Sequence, residues 1–102
     1  MTAWFVTRHA GAVEWAQRRG IGALAAEHLE IAEVAPGDLV MGTLPMHLAA
    51  AVCARGARFL ALELELPPDF RGRPLSADDM EHLGARLVEY RVERLGEAGE
   101  AA

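Results

Sequence analysis

The sequence predicts a small α/β domain, a parallel or mixed sheet flanked by helices, with the element order β-α-β-β-α-β-α. Two observations predict this class. Short β-favouring runs alternate with short helical patterns, and the first run, Trp4-Phe5-Val6, is continuously apolar, as strands covered on both faces are. The chain has 102 residues, of which 52% are hydrophobic, which is enough for one cored domain. We place that domain at 1–95 and expect a disordered tail at 96–102.

The first half of the chain supplies three strands and a helix. Hydrophobic patterning places a strand at 3–6 and a helix at 12–19, whose two arginines in the last turn suit a helix C-terminus. A second strand is expected near 28–32. The turn sequence Pro-Gly-Asp at 36–38 then leads into a third strand at 39–41.

The second half supplies a helix, a strand and a last helix. A proline suits the first turn of a helix, so we expect the second helix at 45–55. The fourth strand is expected at 59–66, where leucines alternate with glutamates. Ser76 and Asp79 have the spacing of a capping box, which begins the last helix. A stripe at helical spacing extends this helix through Met80, Leu83, Leu87 and Tyr90.

Composition and charge exclude several classes of protein. A net charge of −5 argues against a general binder of long nucleic acid, although a few arginines can still hold a small anion. The single cysteine, Cys53, excludes an intrachain disulfide and a multi-cysteine zinc site, and the histidines lack metal-ligand spacing. We expect no metal and no cofactor. Because no apolar run approaches about 20 residues and no signal-peptide pattern is present, we expect a cytoplasmic protein without a membrane partner.

Polar residues follow the predicted strands at the edge where open α/β sheets bind ligands. Thr7, Arg8 and His9 follow the first strand, and the segment Gly42-Thr43-Leu44-Pro45 follows the third and opens a helix. Arginine pairs with phosphate through two hydrogen bonds, and histidine exchanges a proton near neutral pH. A helix N-terminus favours a phosphate. The alternatives are a strand-to-helix turn with a capping threonine, a structural arginine and a surface histidine.

Other polar residues are candidates with equally plain alternatives. His47, in the first turn of the second helix, is a second candidate for proton transfer or a partly exposed helix residue. Arg71 and Arg73, in a Pro/Gly-rich loop, either cover an anionic ligand or belong to a solvated loop. Glu63 and Glu65 fit a solvated strand face better than an acid/base pair.

Three long stretches of the sequence are distinctive: W-F-V-T-R-H-A-G-A-V-E-W-A near the start, G-D-L-V-M-G-T-L-P-M-H-L-A-A-A-V-C-A-R-G-A-R-F in the middle, and R-G-R-P-L-S-A-D-D-M towards the end. They resemble a family of small stand-alone CRISPR-associated proteins from type III loci. The resemblance runs from about Thr2 to Arg94, nearly the whole chain. Strings of this length are far more specific than a short motif.

The resemblance implies a Rossmann-like domain related to the CARF sensors, which bind cyclic oligoadenylates. It also implies a ring nuclease, which cuts the messenger cyclic tetra-adenylate without a metal and so ends the antiviral response. In that reaction a ribose 2′-hydroxyl attacks the neighbouring phosphodiester and leaves linear products with 2′,3′-cyclic phosphate ends. Within this chemistry we expect Arg8, His9 and His47 to be catalytic. The expected ligand-binding residues are Thr7, Gly42, Thr43, Leu44, Pro45, Arg71 and Arg73.

The resemblance also bears on assembly. A two-fold homodimer would match a four-fold ring, because each subunit would supply one half-site. Two other functions remain open from the sequence. One is a binding module that sequesters the messenger without cutting it, and the other is a structural subunit that contacts other CRISPR proteins.

Overall fold

A computed structural model describes residues 1–99 and shows a five-stranded sheet with helices on both faces. The strands are β1 (Ala3–Val6), β2 (Leu24–Ala26), β3 (Leu39–Gly42), β4 (Arg58–Glu63) and β5 (Arg86–Tyr90). The helices are α1 (Ala10–Arg18), α2 (Met46–Ala54) and α3 (Ala77–His82). Short 3₁₀ turns lie at Ile31–Glu33 and Pro68–Phe70. The α/β class and the flanked mixed sheet are therefore confirmed.

The strand order across the sheet is β2-β1-β3-β4-β5. The first four strands in this order run parallel, and β5 runs antiparallel to β4. From β1 the chain first moves outwards to β2 and then returns to β3 on the other side of β1. The direction of winding therefore reverses between β1 and β3, and open α/β sheets bind ligands beyond the carboxyl ends of the strands at such a reversal.

The two faces of the sheet carry separate cores. On one face Phe5 and Met41 pack with Trp15 of α1 and Met80 of α3. On the other face Val6, Val40 and Phe59 pack with Val52 of α2. Successive strand residues point to opposite faces, which explains why β1 is apolar at every position.

Polar contacts join α1 to α3 over the first core. The indole Nε1 of Trp15 donates to Oε2 of Glu81 at 2.9 Å, and the Trp15 side chain is only 2% exposed. Arg19 donates to both oxygens of the same carboxylate and lies 5.2 Å from the centre of the Trp15 ring. The guanidinium of Arg19 holds the pKa of Glu81 below its usual value. Trp15 is therefore a core residue.

A buried carboxylate fixes the start of the sheet. Asp38 is 4% exposed and accepts hydrogen bonds from the backbone N–H groups of Thr2 and Ala35, both at 2.9 Å. These bonds hold the pKa of Asp38 below its usual value, because they stabilise the charged form. The contact joins the residue before β1 to the residue before β3.

The predicted long last helix is wrong. Helix α3 ends at His82, and Gly84 adopts a left-handed φ of +75°, which ends the helix. The following residues form β5, in which Leu87 lies opposite Leu62 and Tyr90 opposite Phe59. The element order therefore ends in an additional antiparallel strand.

Two strand boundaries also differ from the prediction. The second strand is Leu24–Ala26, not 28–32, because its register is set by parallel pairing with β1. The fourth strand ends at Glu63 rather than at residue 66. Of the predicted tail at 96–102, residues 100–102 lie outside the described residues.

The helices are short throughout the described part of the chain. The longest, α1 and α2, have nine residues each. Among residues 1–99 no helix is long and apolar enough to cross a membrane.

Candidate functional site

A cavity of about 540 Å³ lies at the carboxyl ends of β1, β3 and β4. Residues that follow or end these strands form one wall, and the segment that leads from β4 to α3 forms another. Small-molecule sites commonly enclose about 300–1,000 Å³, so the cavity has the size of a ligand site. Its polar and charged lining residues include Thr7, His9, Thr43, Glu63, Arg73 and Arg86.

The structure brings together some of the residues that the sequence singled out. Thr7, His9, Thr43 and Arg73 all line the cavity, although they come from three separate segments. Gly42 and Leu44 line an adjoining hollow of about 210 Å³ on the α2 side of the sheet, which shares Thr43 with the cavity. The strand-end rule therefore gathers these segments as expected.

Other singled-out residues lie elsewhere. Arg8 and Arg71 are exposed and do not line the cavity. Pro45 is the residue that precedes α2. His47 lines a separate cavity of about 680 Å³, together with Arg58 and Glu89. The structure thus separates His47 from His9.

Thr7 organises the turn between β1 and α1. Its side chain is 6% exposed, and its Oγ1 accepts a hydrogen bond from the backbone N–H of His9 at 3.1 Å. Its own N–H donates to the carbonyl of Ala26 at 2.9 Å. His9 is the residue that precedes α1, and its imidazole is exposed. Within residues 1–99 no hydrogen bond or ion pair engages this imidazole, so its nitrogens are available to a ligand.

Gly42 allows the neighbouring strand β1 to pack closely against β3. Its φ is +122°, and a Cβ at this position would lie 2.1 Å from the carbonyl oxygen of Val6. The next residue, Thr43, donates its N–H to that same carbonyl at 3.1 Å. Gly42 was expected to contact the ligand, but the space beside its Cα is filled by β1.

A second glycine, Gly11, permits a close contact beside the cavity and was missed from the sequence. A Cβ on Gly11, in the first turn of α1, would lie 1.9 Å from the carbonyl oxygen of Leu75. The start of α1 therefore packs directly against the segment that precedes α3. The sequence carries one signal of this contact. It is a glycine at the start of a helix, where the conformational freedom of glycine is not needed.

The charged groups of the cavity are arranged in two clusters. In one, the guanidinium of Arg73 lies 4.2 Å from the centre of the Phe70 ring, a cation–π contact. In the other, Glu63 accepts a hydrogen bond from the hydroxyl of Tyr90 and faces Arg86, whose Nη2 lies 3.8 Å from its Oε1. This second cluster was not predicted from the sequence, because Tyr90 fitted a helical stripe and Glu63 a solvated strand face.

These groups suit an anionic ligand that also offers hydrogen-bond donors. Arg73 supplies positive charge to the cavity, Arg86 offsets the charge of Glu63, and His9 offers an unengaged imidazole. Among residues 1–99 no group of three or more His, Cys, Asp or Glu side chains is placed to hold a metal ion. The cavity itself offers charged, hydroxyl and imidazole groups to a ligand.

Comparison with known families identifies the family of this chain. The family model described as "Putative CRISPR-associated protein (Cas_VVA1548)" matches residues 4–93. The chain has no significant match among curated proteins or solved structures. The matched region contains every strand and helix of the sheet except the first residue of β1, and it includes the whole lining of the cavity. The chain therefore belongs to the Cas_VVA1548 family of CRISPR-associated proteins.

Proposed function

We propose that this protein is a ring nuclease that binds a cyclic oligoadenylate, most simply cyclic tetra-adenylate, and cleaves it without a metal. Family membership and the resemblance to type III proteins support the ligand class. The observation that carries the proposal is the cavity at the carboxyl edge of the sheet, which unites Thr7, His9, Thr43 and Arg73. Cleavage of the messenger would switch off type III signalling in the cytoplasm.

The proposed reaction needs alignment, charge stabilisation and proton transfer. The ribose 2′-oxygen attacks the adjacent phosphorus, the bond from phosphorus to the 5′-oxygen breaks, and a 2′,3′-cyclic phosphate remains. A rigid cavity contributes by holding the 2′-oxygen in line with the departing oxygen. Arg73 would stabilise the negative charge that develops on the phosphoryl oxygens. Thr43 would hold the phosphate through its hydroxyl, and the exposed Arg8 would bind a neighbouring phosphate at the rim.

We assign proton transfer to His9 rather than to His47. His9 lines the cavity and its imidazole is unengaged, so it can take the proton from the 2′-hydroxyl or deliver one to the 5′-oxygen. His47 lines a different cavity on α2. His47 therefore serves as the matched control for His9.

The dimensions of the cavity favour action as a homodimer. At about 540 Å³, one cavity suits a ligand of ordinary small-molecule size rather than a ring of four nucleotides. A ring with two-fold symmetry can be shared by a two-fold pair of subunits, each holding half. The homodimer is therefore part of the proposal.

One observation favours the alternative, a protein that sequesters the messenger without cutting it. A catalytic histidine usually has one ring nitrogen held by a partner, which fixes its tautomer and orientation. Within the described residues the imidazole of His9 has no such partner. Binding would still use the arginines and hydroxyls of the same cavity.

The decisive experiment is incubation of the purified protein with cyclic tetra-adenylate in excess EDTA, with products identified by mass spectrometry. We expect linear products with 2′,3′-cyclic phosphate ends. His9→Gln should slow cleavage by about 10²–10⁴-fold while affinity changes little, and His47→Gln should cleave at the wild-type rate. Tight binding with unchanged ligand would establish sequestration instead. If the protein neither binds the ring nor forms product at any concentration, the proposal is refuted.

A further inference from the structure

Glu63 is the one acidic residue among the described residues that line the cavity, and its charge does not suit a phosphate. It is the last residue of β4, its side chain is 33% exposed, and it lines the cavity with Thr7 and Thr43. An ionised carboxylate accepts hydrogen bonds and donates none. A phosphate oxygen against it would place two negative charges in contact. The part of a ligand that meets Glu63 must therefore be a hydrogen-bond donor.

Two neighbours on β5 fix the Glu63 carboxylate. Arg86 lies directly opposite Glu63 in the β4–β5 register, with its Nη2 3.8 Å from Oε1. The hydroxyl of Tyr90 donates to Oε2 of Glu63, and this bond raises the pKa of Tyr90, so the phenol remains a donor at neutral pH. A carboxylate has about four acceptor positions. These two contacts leave acceptor capacity for a ligand.

We propose that Glu63 is a specificity residue that accepts a hydrogen bond from a neutral donor group of the bound nucleotide, either a ribose hydroxyl or the adenine amine. The inference rests on the proposed function and adds to it a reason why a nucleotide is chosen over a simple polyanion. Arg86 compensates the charge of Glu63 locally, so the carboxylate does not repel the phosphates that Arg73 holds further along the cavity. Tyr90 is a positioning residue, because it acts through Glu63.

Glu65 provides a matched control. Its Oε1 lies 3.5 Å from Nη2 of the same Arg86, so its removal also costs Arg86 a partner. Its side chain, however, is 84% exposed, and it does not line the cavity. Glu63→Gln and Glu65→Gln therefore make the same change in net charge, but only the first reaches the ligand.

The test measures affinity for cyclic tetra-adenylate and for its 2′-deoxy and inosine counterparts. All proteins carry His9→Gln, so that the ribose ring is not consumed, and circular dichroism checks that each is folded. With Glu63 intact, one analogue should bind about 10-fold or more weaker than the parent ring, because a hydrogen bond to a charged group is lost. The analogue affected identifies the donor, the 2′-hydroxyl or the adenine amine.

Variants of Glu63, Tyr90 and Glu65 show whether Glu63 is the source of this discrimination. Glu63→Gln should reduce the discrimination by about fivefold, because a neutral amide oxygen accepts more weakly than a carboxylate. Tyr90→Phe should reduce it less, and Glu65→Gln should leave it unchanged. If the ring binds and discrimination is the same in Glu63→Gln, the role of Glu63 is refuted while the proposed function stands. If the protein with wild-type His9 binds no cyclic oligoadenylate, both fail.

Discussion

Replacing Gly42 by alanine tests whether the close approach of β1 to β3 requires a glycine at this position. The φ of +122° is strained for any L residue, at about 1–3 kcal/mol. The new Cβ would lie 2.1 Å from the carbonyl oxygen of Val6, well inside the 3.4 Å at which ordinary contact begins. Forcing a group into packed surroundings costs about 1–3 kcal/mol more. Gly42→Ala should therefore lose about 2–6 kcal/mol of a total of about 5–15 kcal/mol.

Thermal unfolding followed by circular dichroism measures this loss, and Gly37→Ala is the control. Gly37 has a φ of +86° but no neighbour within 4 Å of its hypothetical Cβ, so it shares the backbone strain without the collision. For a domain of this size, 1 kcal/mol corresponds to about 4–8 °C. Gly42→Ala should melt at least about 4 °C below Gly37→Ala. Equal melting temperatures would show that β1 does not need a glycine at this position.

Three further predictions concern the polar contacts of the fold. Ser76→Ala should destabilise the protein by about 1 kcal/mol in urea unfolding, because it removes the capping bond that the Asp79 N–H donates to the Ser76 hydroxyl; an unchanged midpoint would contradict the capping role. Trp15→Phe should cost about 1–2 kcal/mol, because the indole bond to Glu81 is lost, and no loss in urea unfolding would argue against that bond. Since the pKa of Asp38 is lowered on folding, its contribution is present above the unfolded value of about 4 and is lost as pH falls through the folded value. Urea midpoints measured between pH 5 and pH 3 should therefore fall less steeply for Asp38→Asn than for the wild-type protein. Parallel pH profiles of the two proteins would contradict this reasoning.

The sequence predicted the fold class because its strongest signals were local. The apolar run of β1 and the Pro-Gly-Asp turn at 36–38 before β3 mark elements whose type depends on neighbouring residues. The capping box at Ser76 also formed as expected. These elements suffice to predict alternating strands and helices.

The errors arose where pairing across the sheet decides the structure. Leu87 and Tyr90 fit a helical stripe, yet they belong to a strand, because β4 offers an antiparallel partner. Gly84 was the local signal that the helix had ended. The alanine-rich β2 has little β propensity of its own, and it forms because β1 lies beside it.

The candidate site was predictable only in outline. The strand-end rule placed Thr7 and Thr43 at one edge, and both line the cavity. The rule could not give the orientation of a side chain on a helix, so His47 was grouped with His9 although it lies in another cavity. The partners of Glu63, Arg86 and Tyr90, come from β5, a strand that was not predicted from the sequence.

The two outer edges of the sheet are protected against aggregation by different means. On β5, exposed charges such as Arg86 and Glu89 discourage pairing with another sheet. On β2 the protection is brevity: the strand has three apolar residues, Leu24 is 56% exposed, and the charged Glu27 follows at once. A valine at position 27 would lengthen an apolar, uncharged edge. The carboxylate of Glu27 therefore helps to protect this edge, because it ends the apolar run of the shortest strand.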